Sequence, residues 1–164
     1  MAAETLDVTS MLPQKYEGKR KNRFILMIEG IDAYIVTKVN RPTMTTESVE
    51  IPFINSTRWV AGKTKFGTMS VTLHDPIAPS GAQQVMEWVR THFESVSGRA
   101  GYPDFYKRDI QLKVLDPVGT VVELWDIRGA FITEANFGDL DYSDGGTLQE
   151  ISLTLQIDQA VLQF

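Results

Sequence analysis

Apolar and polar side chains alternate with period two along several short segments, and this pattern limits the folds open to the chain. In residues 67–75, Met69, Val71 and Leu73 fall on one side and polar residues on the other, as in a half-buried strand. Extended segments of this kind lie at residues 24–29, 33–40, 45–51, 110–114, 121–132, 137–142 and 147–158. The sequence therefore predicts a chain built mainly of β-strands.

Turn residues between these segments predict how they connect. Gly30 and Asp32 separate the first two segments and predict a hairpin, and the turn at residues 116–119 predicts a second hairpin between 110–114 and 121–132. The run Ser143-Asp144-Gly145-Gly146 predicts a turn between 137–142 and the final strand, whose slip between Leu148 and Ile151 suggests a bulge. Ile25 and Met27 alternate with other apolar residues, so we expect the first strand to be covered on both faces.

Only one segment has convincing helical spacing. Its apolar residues recur at the spacing of one helix face: Val85, Trp88, Val89, His92, Phe93 and Val96. Pro79-Ser80 before them and Gly98 after them are typical start and stop signals. We therefore predict a mainly β fold: an antiparallel β-sandwich or barrel with one packed α-helix at about residues 80–97.

Length and composition indicate one domain. The 164 residues are 43% hydrophobic and 23% charged, which is enough to bury a single core. Residues 1–22 are polar and end in a basic run, so we interpret them as a flexible N-terminal arm before a single β domain at residues 23–164. The basic run is either solvated or in contact with an acidic face of a neighbouring copy.

Charge and cysteine content exclude several classes. A net charge of -5 argues against a surface dedicated to gripping nucleic acid, although DNA can slide past such a surface. The absence of cysteine excludes disulfides and thiolate metal sites and suits assembly in a reducing cytosol. The N-terminus lacks the pattern of a signal peptide, and no run approaches the roughly 18 apolar residues of a membrane span, so we expect no membrane insertion.

No catalytic, cofactor or metal motif is evident. His74 and His92 form no ligand pair, and no Gly-x-Ser-x-Gly elbow or phosphate loop is present. Asp139, Asp141, Ser143 and Glu150 have calcium-loop spacing, but Asp144 replaces the required glycine and the flanks are predicted strands. We therefore predict a non-enzymatic protein with no catalytic residues, cofactor or metal.

Aromatic residues are frequent in or beside the loops. They are Trp59, Phe66, Tyr102, Phe105, Tyr106 and Trp125. Loop aromatics often cover a core, but this number favours a partner interface. A β protein with free strand edges must blunt them or pair them with another copy, and regular pairing gives rings or fibres.

The order of short motifs resembles the tail-tube proteins of contractile-tailed bacteriophages. The motifs include a Val60-Ala61-Gly62 turn leading through Phe66 into the strand at 67–75, with Asn55 and Arg58 before it. They continue in the tryptophan-containing helix and in the segments 127–132, 137–143 and 151–155. The resemblance covers about residues 22–158, whereas the basic arm and the sequence after Gly129 depart from the family pattern.

The resemblance implies a structural subunit of an inner tail tube. In that family hexameric rings stack into a hollow tube whose lumen conducts DNA into the host during ejection. The implied partners are other copies of the chain, the sheath protein, the baseplate tube initiator, the tail terminator and DNA in transient, non-specific passage. The implied location is the tail of the virion, after assembly in the cytoplasm of the bacterial host.

The resemblance also suggests where the subunits meet. Residues 42–58 correspond to a long hairpin region that reaches the adjacent ring. Candidate inter-ring or subunit contacts are Glu47, Glu50, Asn55, Arg58, Trp59 and Lys63. The acidic residues Asp139, Asp141 and Asp144 are candidates for the lumen or an inter-ring contact, because an acidic lumen avoids tight binding of phosphates.

Two alternatives remain open from the sequence. The same fold serves as the inner tube or tube initiator of bacteriocin-like or type VI-like contractile injection systems. A protein of a different class, a monomeric β-barrel that binds a small ligand, would have an apolar cavity.

Overall fold

The computed structural model describes Met11, Pro13 and residues 15–164 and confirms the mainly β, antiparallel fold with one main helix. The strands are β1 (Phe24–Ile28), β2 (Val36–Val39), β3 (Met44–Phe53), β4 (Ser56–Phe66), β5 (Thr68–His74), β6 (Arg108–Leu115), β7 (Val121–Asn136), β8 (Glu150–Gln156) and β9 (Gln159–Leu162). The helices are α1 (Gly81–His92) and the short α2 (Pro103–Tyr106), and a 3-10 turn covers Ala33–Ile35.

The long strand β7 joins the two halves of the main sheet. The sheet has the order β1-β6-β7-β8-β5-β2, and β9 also pairs with β7. The first part of β7 pairs with β6 and β9, and from Phe131 onward it pairs with β8. Inward side chains from both halves form one core cluster, so the sheet closes over a single hydrophobic interior.

Gly129 lies where β7 changes partners. Its φ of +67° is in the left-handed region, which favours glycine. A Cβ added here would lie 2.2 Å from Oδ2 of Asp158, far inside van der Waals contact. The bend of β7 therefore requires glycine for both its backbone angle and its space.

The period-two pattern correctly located the core strands. Met69, Val71 and Leu73 are buried, as expected. In β1, however, the side chains of Ile25 and Met27 are 40% and 47% exposed. The prediction that both faces of this strand are covered is therefore wrong for the isolated chain.

The main helix is shorter than the predicted 80–97. The Ser80 hydroxyl accepts a hydrogen bond from the backbone N–H of Gln83, which caps its start. The chain becomes extended at Phe93, and Val96 is 96% exposed. Val85 and Trp88 form the buried face, and the Trp88 indole N–H donates to the carbonyl oxygen of Tyr106 at 2.8 Å. This bond fixes α2, a second helix that was not predicted, against α1.

One predicted hairpin and one predicted strand are wrong. The strand β1 pairs with β6, and β2 pairs with β5, so the first two strands are not partners. Residues 137–142 are a loop, and β7 pairs with β8 across residues 137–149. Leu148 is exposed in this loop, so it forms no bulge in the final strand. The predicted hairpin of β6 and β7 is confirmed.

Glu123 of β7 is a buried carboxylate that ties two chain segments together. It has the same orientation as Trp125 and Ile127 and is 3% exposed. Lys19 and the indole N–H of Trp125 donate to it, and Arg41 approaches it at 3.4 Å. Burial alone raises the pKa of Glu123, but these hydrogen bonds and the charges of Lys19 and Arg41 outweigh burial and lower the pKa.

The N-terminal segment is described only in part. Residues 1–10, 12 and 14 of the predicted flexible arm lie outside the described residues. Residues 15–22 contain no helix or strand, and Lys19 within them binds Glu123. The division into an arm and a domain at residue 23 stays a prediction. None of the described helices is both long and apolar enough to cross a membrane.

The burial of Trp88 predicts a large loss of stability on truncation. We expect Trp88→Ala to lower the free energy of unfolding by about 3–5 kcal/mol, because it leaves a cavity and removes the bond to Tyr106. Urea denaturation measures this change. The control Val96→Ala alters an exposed residue of the expected helix face and should change stability by less than about 0.5 kcal/mol. Equal effects of the two substitutions would contradict the observed end of α1.

The Glu123 contacts predict a pH-dependent effect. We expect Glu123→Gln to lower the free energy of unfolding by about 1–2 kcal/mol near neutral pH, since both cationic partners are largely exposed. The pKa of Glu123 is lowered by folding, so its contribution is present above the unfolded value of 4.5 and lost as the pH falls through the folded pKa. Denaturation at a series of pH values should show the two proteins converging below about 4.5. A difference that is constant with pH would contradict the assignment.

Candidate assembly interface

The strands β3 and β4 form a separate two-stranded sheet that projects from the domain. They pair only with each other, and all ten residues of β3 are exposed. Phe66, at the base of β4, packs against the core. An isolated two-stranded hairpin is marginally stable in water. We refer to Met44–Phe66 as the hairpin.

The hairpin shows that the predicted turn at residues 60–62 is wrong and that the predicted contact segment covers only part of the hairpin. The segment 42–58 predicted to reach a neighbour contains β3 and only the first part of β4. Val60-Ala61-Gly62 is not a turn but lies inside β4. A Cβ on Gly62 would lie 3.1 Å from the carbonyl oxygen of Glu47, and the pairing register shifts here. Glycine therefore permits a close approach at a bulge.

The two faces of the hairpin differ in chemistry. Val49 lies opposite Val60, and Ile51 lies opposite Arg58, so these side chains share one face. Phe53, two residues after Ile51, continues this apolar face toward the tip. The other face carries Glu50 opposite Trp59, together with threonine and serine side chains. All five apolar or arginine residues of the first face are in exposed positions.

The tip of the hairpin is apolar and strained. Phe53 pairs with Ser56, so Ile54 and Asn55 form a two-residue turn. Ile54 has a φ of 45° and its side chain is 87% exposed. A β-branched residue is disfavoured in this region, where glycine or asparagine is usual. Because the Ile54 side chain is exposed to water in the isolated subunit, no burial energy offsets this backbone strain.

The predicted contact residues all lie on the hairpin but in different surroundings. Glu47 accepts a hydrogen bond from Lys65 at 2.9 Å, and Glu50 from Thr57 at 3.5 Å. Asn55 is at the tip, Arg58 and Trp59 are on opposite faces, and Lys63 is at the bulge. Their assignment as contacts stays a prediction. Phe53, Ile54 and Val60 were not among the predicted contact residues, although the alternation of Val49, Ile51 and Phe53 is visible in the sequence.

A groove with basic walls lies at the end of the fold from which the hairpin projects. Its floor is apolar and contains Phe24, Val39, Leu112 and Val114. Its walls carry the cationic residues Lys19, Arg20, Lys21, Arg23, Lys38 and Arg41. Glu17 lies near Arg20 and Arg23, and Glu123 binds Lys19 and Arg41. Within the described part of the chain, Lys21 and Lys38 form no ion pair. We refer to this feature as the basic groove.

The predicted acidic residues lie in the loop 137–149 between β7 and β8, here called the acidic loop. Hydrogen bonds from the backbone N–H and hydroxyl of Ser143 lower the pKa of Asp141. Hydrogen bonds from Thr147 and from the N–H of Gly146 lower the pKa of Asp144. Asp139 has no such bond within the described residues. The carboxylates of Asp141 and Asp144 are therefore charged at neutral pH.

The acidic loop also exposes large apolar side chains. Leu140, Tyr142 and Leu148 are among the most exposed hydrophobic residues of the domain. Among the residues that the structure describes, no three histidine, aspartate or glutamate side chains are placed to hold a metal ion. The loop thus combines negative charge with apolar surface and contains no ready cation site in the described chain.

The acidic loop lies at the end of β5, whereas the part of the basic groove around Arg41 lies at its start. Near the start of β5, the N–H of Asn40 donates to the carbonyl oxygen of Ser70, which places Arg41 at that end. At the other end, His74 pairs with Glu150 and the N–H of Asp75 donates to Gln149. The seven residues of β5 span roughly 20 Å, so Arg41 and the acidic loop are well separated, whereas Lys38 of the groove pairs opposite Thr72, in the second half of β5.

The loop aromatics divide into two groups. In the first group, Phe66 and Trp125 pack against the core, and Tyr106 packs edge-to-face on His92 and Phe131, with ring centroids 4.8 and 5.6 Å apart. Trp59, Tyr102 and Phe105 are exposed. The second group fits the expectation of partner surface, and the first fits the expectation of core lids.

Comparison with known proteins gives a family and a fold. No curated protein sequence matches the chain. A chain in the structure of the anti-feeding prophage tube-terminating cap superposes with a TM-score of 0.74 at 16% identity, covering 96% of this chain and 99% of that chain. A chain in the sheath–tube complex of an extracellular contractile injection system, PVC, in the extended state gives 0.71 at 14%, with coverage of 97% and 99%.

A more distant structure shares the fold. Hcp1 from Flavobacterium johnsoniae superposes with a TM-score of 0.50 at 11% identity, covering 86% of this chain and 94% of that chain. These likenesses establish the fold. The family model described as "T4-like virus tail tube protein gp19" matches residues 20–160. Since this match spans most of the chain, the protein belongs to the family of T4-like virus tail tube proteins.

Proposed function

We propose that the protein is the structural subunit of the inner tube of a contractile phage tail. Copies form hexameric rings, the rings stack, and the lumen conducts DNA into the host during ejection. The observation that carries this proposal is the family match over residues 20–160. The exposed hairpin supports it, because a projecting apolar sheet without a core of its own is suited to packing on another copy.

The hairpin is the proposed contact between rings. Its apolar face and its tip bury surface only when a neighbour covers them. Ile54 and Phe53 at the tip are 87% and 70% exposed, so each would gain about 1 kcal/mol or more on burial. That gain offsets the backbone strain at Ile54. The predicted contacts Glu47, Glu50, Asn55, Arg58, Trp59 and Lys63 then surround this apolar surface.

The remaining partners follow from the same role. We propose that the tube contacts the sheath protein, the baseplate tube initiator and the tail terminator, and that it acts without enzymatic activity. It would be part of the virion tail after assembly in the host cytoplasm. The net charge of -5 suits a channel through which DNA passes without attachment, because each cation facing the phosphates adds a bond that must break during transit.

A second candidate is the inner tube or the tube initiator of a contractile injection device. It is supported by the structural likeness to chains of the anti-feeding prophage cap and of the PVC sheath–tube complex. Neighbouring genes distinguish the candidates, since genome-packaging and capsid genes accompany a phage and toxin genes accompany an injection device. The monomeric ligand-binding barrel is not supported, because the family and the neighbouring structures are those of tube assemblies.

Shortening the hairpin tests the role in assembly. Ser48 lies directly opposite Ala61, so residues 49–60 can be replaced by Asn-Gly, which favours a two-residue turn. We expect this variant to remain folded but to form no tubes, because the apolar face and the tip are lost while the core is untouched. Electron microscopy scores the tubes and thermal unfolding scores the fold.

Shortening the hairpin is a better test than deleting the predicted contact segment. Removing residues 42–58 would take away β3 and leave most of β4 unpaired. A matched control replaces Ser48 with Thr, which keeps the full hairpin and its β-propensity. Normal tubes from the shortened variant would refute the proposed contact.

Substitutions of Ile54 separate strain from contact. We expect Ile54→Gly to slow hydrogen exchange of the β3 and β4 amides by about fivefold, since a left-handed non-glycine residue costs about 1 kcal/mol or more. Ile54→Ala keeps the strain and should leave exchange fast. Both variants remove the exposed side chain, so both should weaken tube formation to a similar degree. Undiminished assembly of the two variants would show that the side chain of Ile54 lies outside the contact.

A further inference from the structure

We infer that the acidic loop of one copy docks into the basic groove of a second copy. This inference rests on the proposed function, because it names a contact within the proposed tube. The two surfaces match in chemistry. The groove has cationic walls above an apolar floor, and the loop has three carboxylates beside exposed apolar side chains.

The charges available on each side are specific. Lys21 and Lys38 of the groove have no carboxylate partner among the described residues, whereas Lys19 and Arg41 are held by Glu123. On the loop, Asp139 makes no hydrogen bond within the described chain, while Asp141 caps its own turn. Lys21, Lys38 and Asp139 are therefore the charges that a partner can neutralise without breaking a bond inside the subunit.

The apolar parts of the two surfaces are complementary as well. Leu140 is 90% exposed and Tyr142 is fully exposed, which is unusual for two large side chains in one loop. Phe24 and Val39 lie partly buried in the floor of the groove. Docking would remove both sets from water, and the surrounding charges would set the orientation.

The positions of the surfaces determine the kind of assembly. Within one subunit no ion pair joins the described residues of the loop to those of the groove, so the contact is one between copies. A contact between two different patches is heterologous, and its repetition produces rings or open stacks. The hairpin projects from the groove end. The acidic loop of the next copy would therefore approach the end of the subunit that also presents the hairpin. Of the two roles open to the acidic residues, this arrangement favours contact over the lumen.

Charge exchange between two variants tests the contact. The groove variant carries Lys21→Glu and Lys38→Glu, and the loop variant carries Asp139→Lys, which leaves the turn-capping Asp141 in place. Each variant alone places like charges across the contact, so we expect the protein concentration needed for assembly to rise at least about tenfold. In an equimolar mixture each altered surface finds its opposite. Assembly should then return to within about twofold of wild type, and alternating copies should be present in the tubes.

A control variant with charge changes outside the groove tests whether the effect is specific to the contact. Arg90→Glu with Arg99→Glu makes the same change in charge at exposed sites outside the groove and should leave assembly unchanged. Normal assembly of either variant alone would overturn the inference. Loss of assembly that mixing does not restore would also overturn it, and would indicate that the hairpin tip or another segment occupies the groove.

A cross-linking experiment separates this inference from the proposed function. The chain has no cysteine, so Lys38→Cys and Leu140→Cys provide one thiol on each surface. Oxidation of the mixture should give at least about tenfold more heterodimer than the control mixture of Lys38→Cys and Val118→Cys. Val118 is exposed in the β6–β7 turn, at the groove end of the fold. Equal heterodimer yields in the two mixtures would overturn the docking contact, even if the wild-type protein forms tubes. Specific cross-linking in a protein that forms no tubes would contradict the proposed tube function and leave the docking contact intact.

Discussion

The continuity of β7 is the constraint on which the rest of the domain depends. One strand of sixteen residues pairs with β6 and β9 in its first part and with β8 in its second. The two halves of the sheet therefore cannot slide relative to each other without breaking it. Gly129, with its left-handed φ, lies at the register shift where the strand changes partners, and Glu123 near the start of the strand binds the N-terminal segment and the β2–β3 connection. The positions of the core, the basic groove and the hairpin therefore all depend on this strand.

A rigid domain of this kind leaves its assembly surfaces to segments outside the core. The hairpin has no buried face, and the acidic loop has polar turns that are closed by its own aspartates. Apart from Phe66 at the base of the hairpin and Phe137 at the start of the loop, which pack against the core, neither segment contributes to the core cluster, so their outer parts can change without unfolding the domain. This separation explains why hairpin and loop variants are informative: they alter contacts between subunits while the free energy of unfolding stays that of the shared core.

Local patterns in the sequence predicted most of the core strands and the main helix, but not the partners of the strands. Met69, Val71 and Leu73 alternate because one face of β5 is buried, and this was predictable. The pairing of Phe24 with Val114 joins residues far apart in the chain, and no local signal encodes it. Val96 fits the helical spacing, yet the chain has already turned at Phe93, so its position on the apolar face was a coincidence. Gly62 was interpreted as a turn residue because the need for a close approach to Glu47 is visible only in three dimensions.

The candidate surfaces were less predictable than the strands and the helix. Assembly depends on where the charges lie, and the net charge does not show this. A total of -5 suggests a uniformly acidic subunit, whereas the structure gathers cations around the basic groove and anions in the acidic loop. Screening in physiological salt limits interactions between exposed charges to about 8 Å, so the charges around Arg41 and those of the acidic loop barely affect each other within one subunit. Their attraction becomes substantial only between the loop of one copy and the groove of the next. A subunit with this charge distribution can stay soluble as a monomer and still orient its neighbour once the two ends meet.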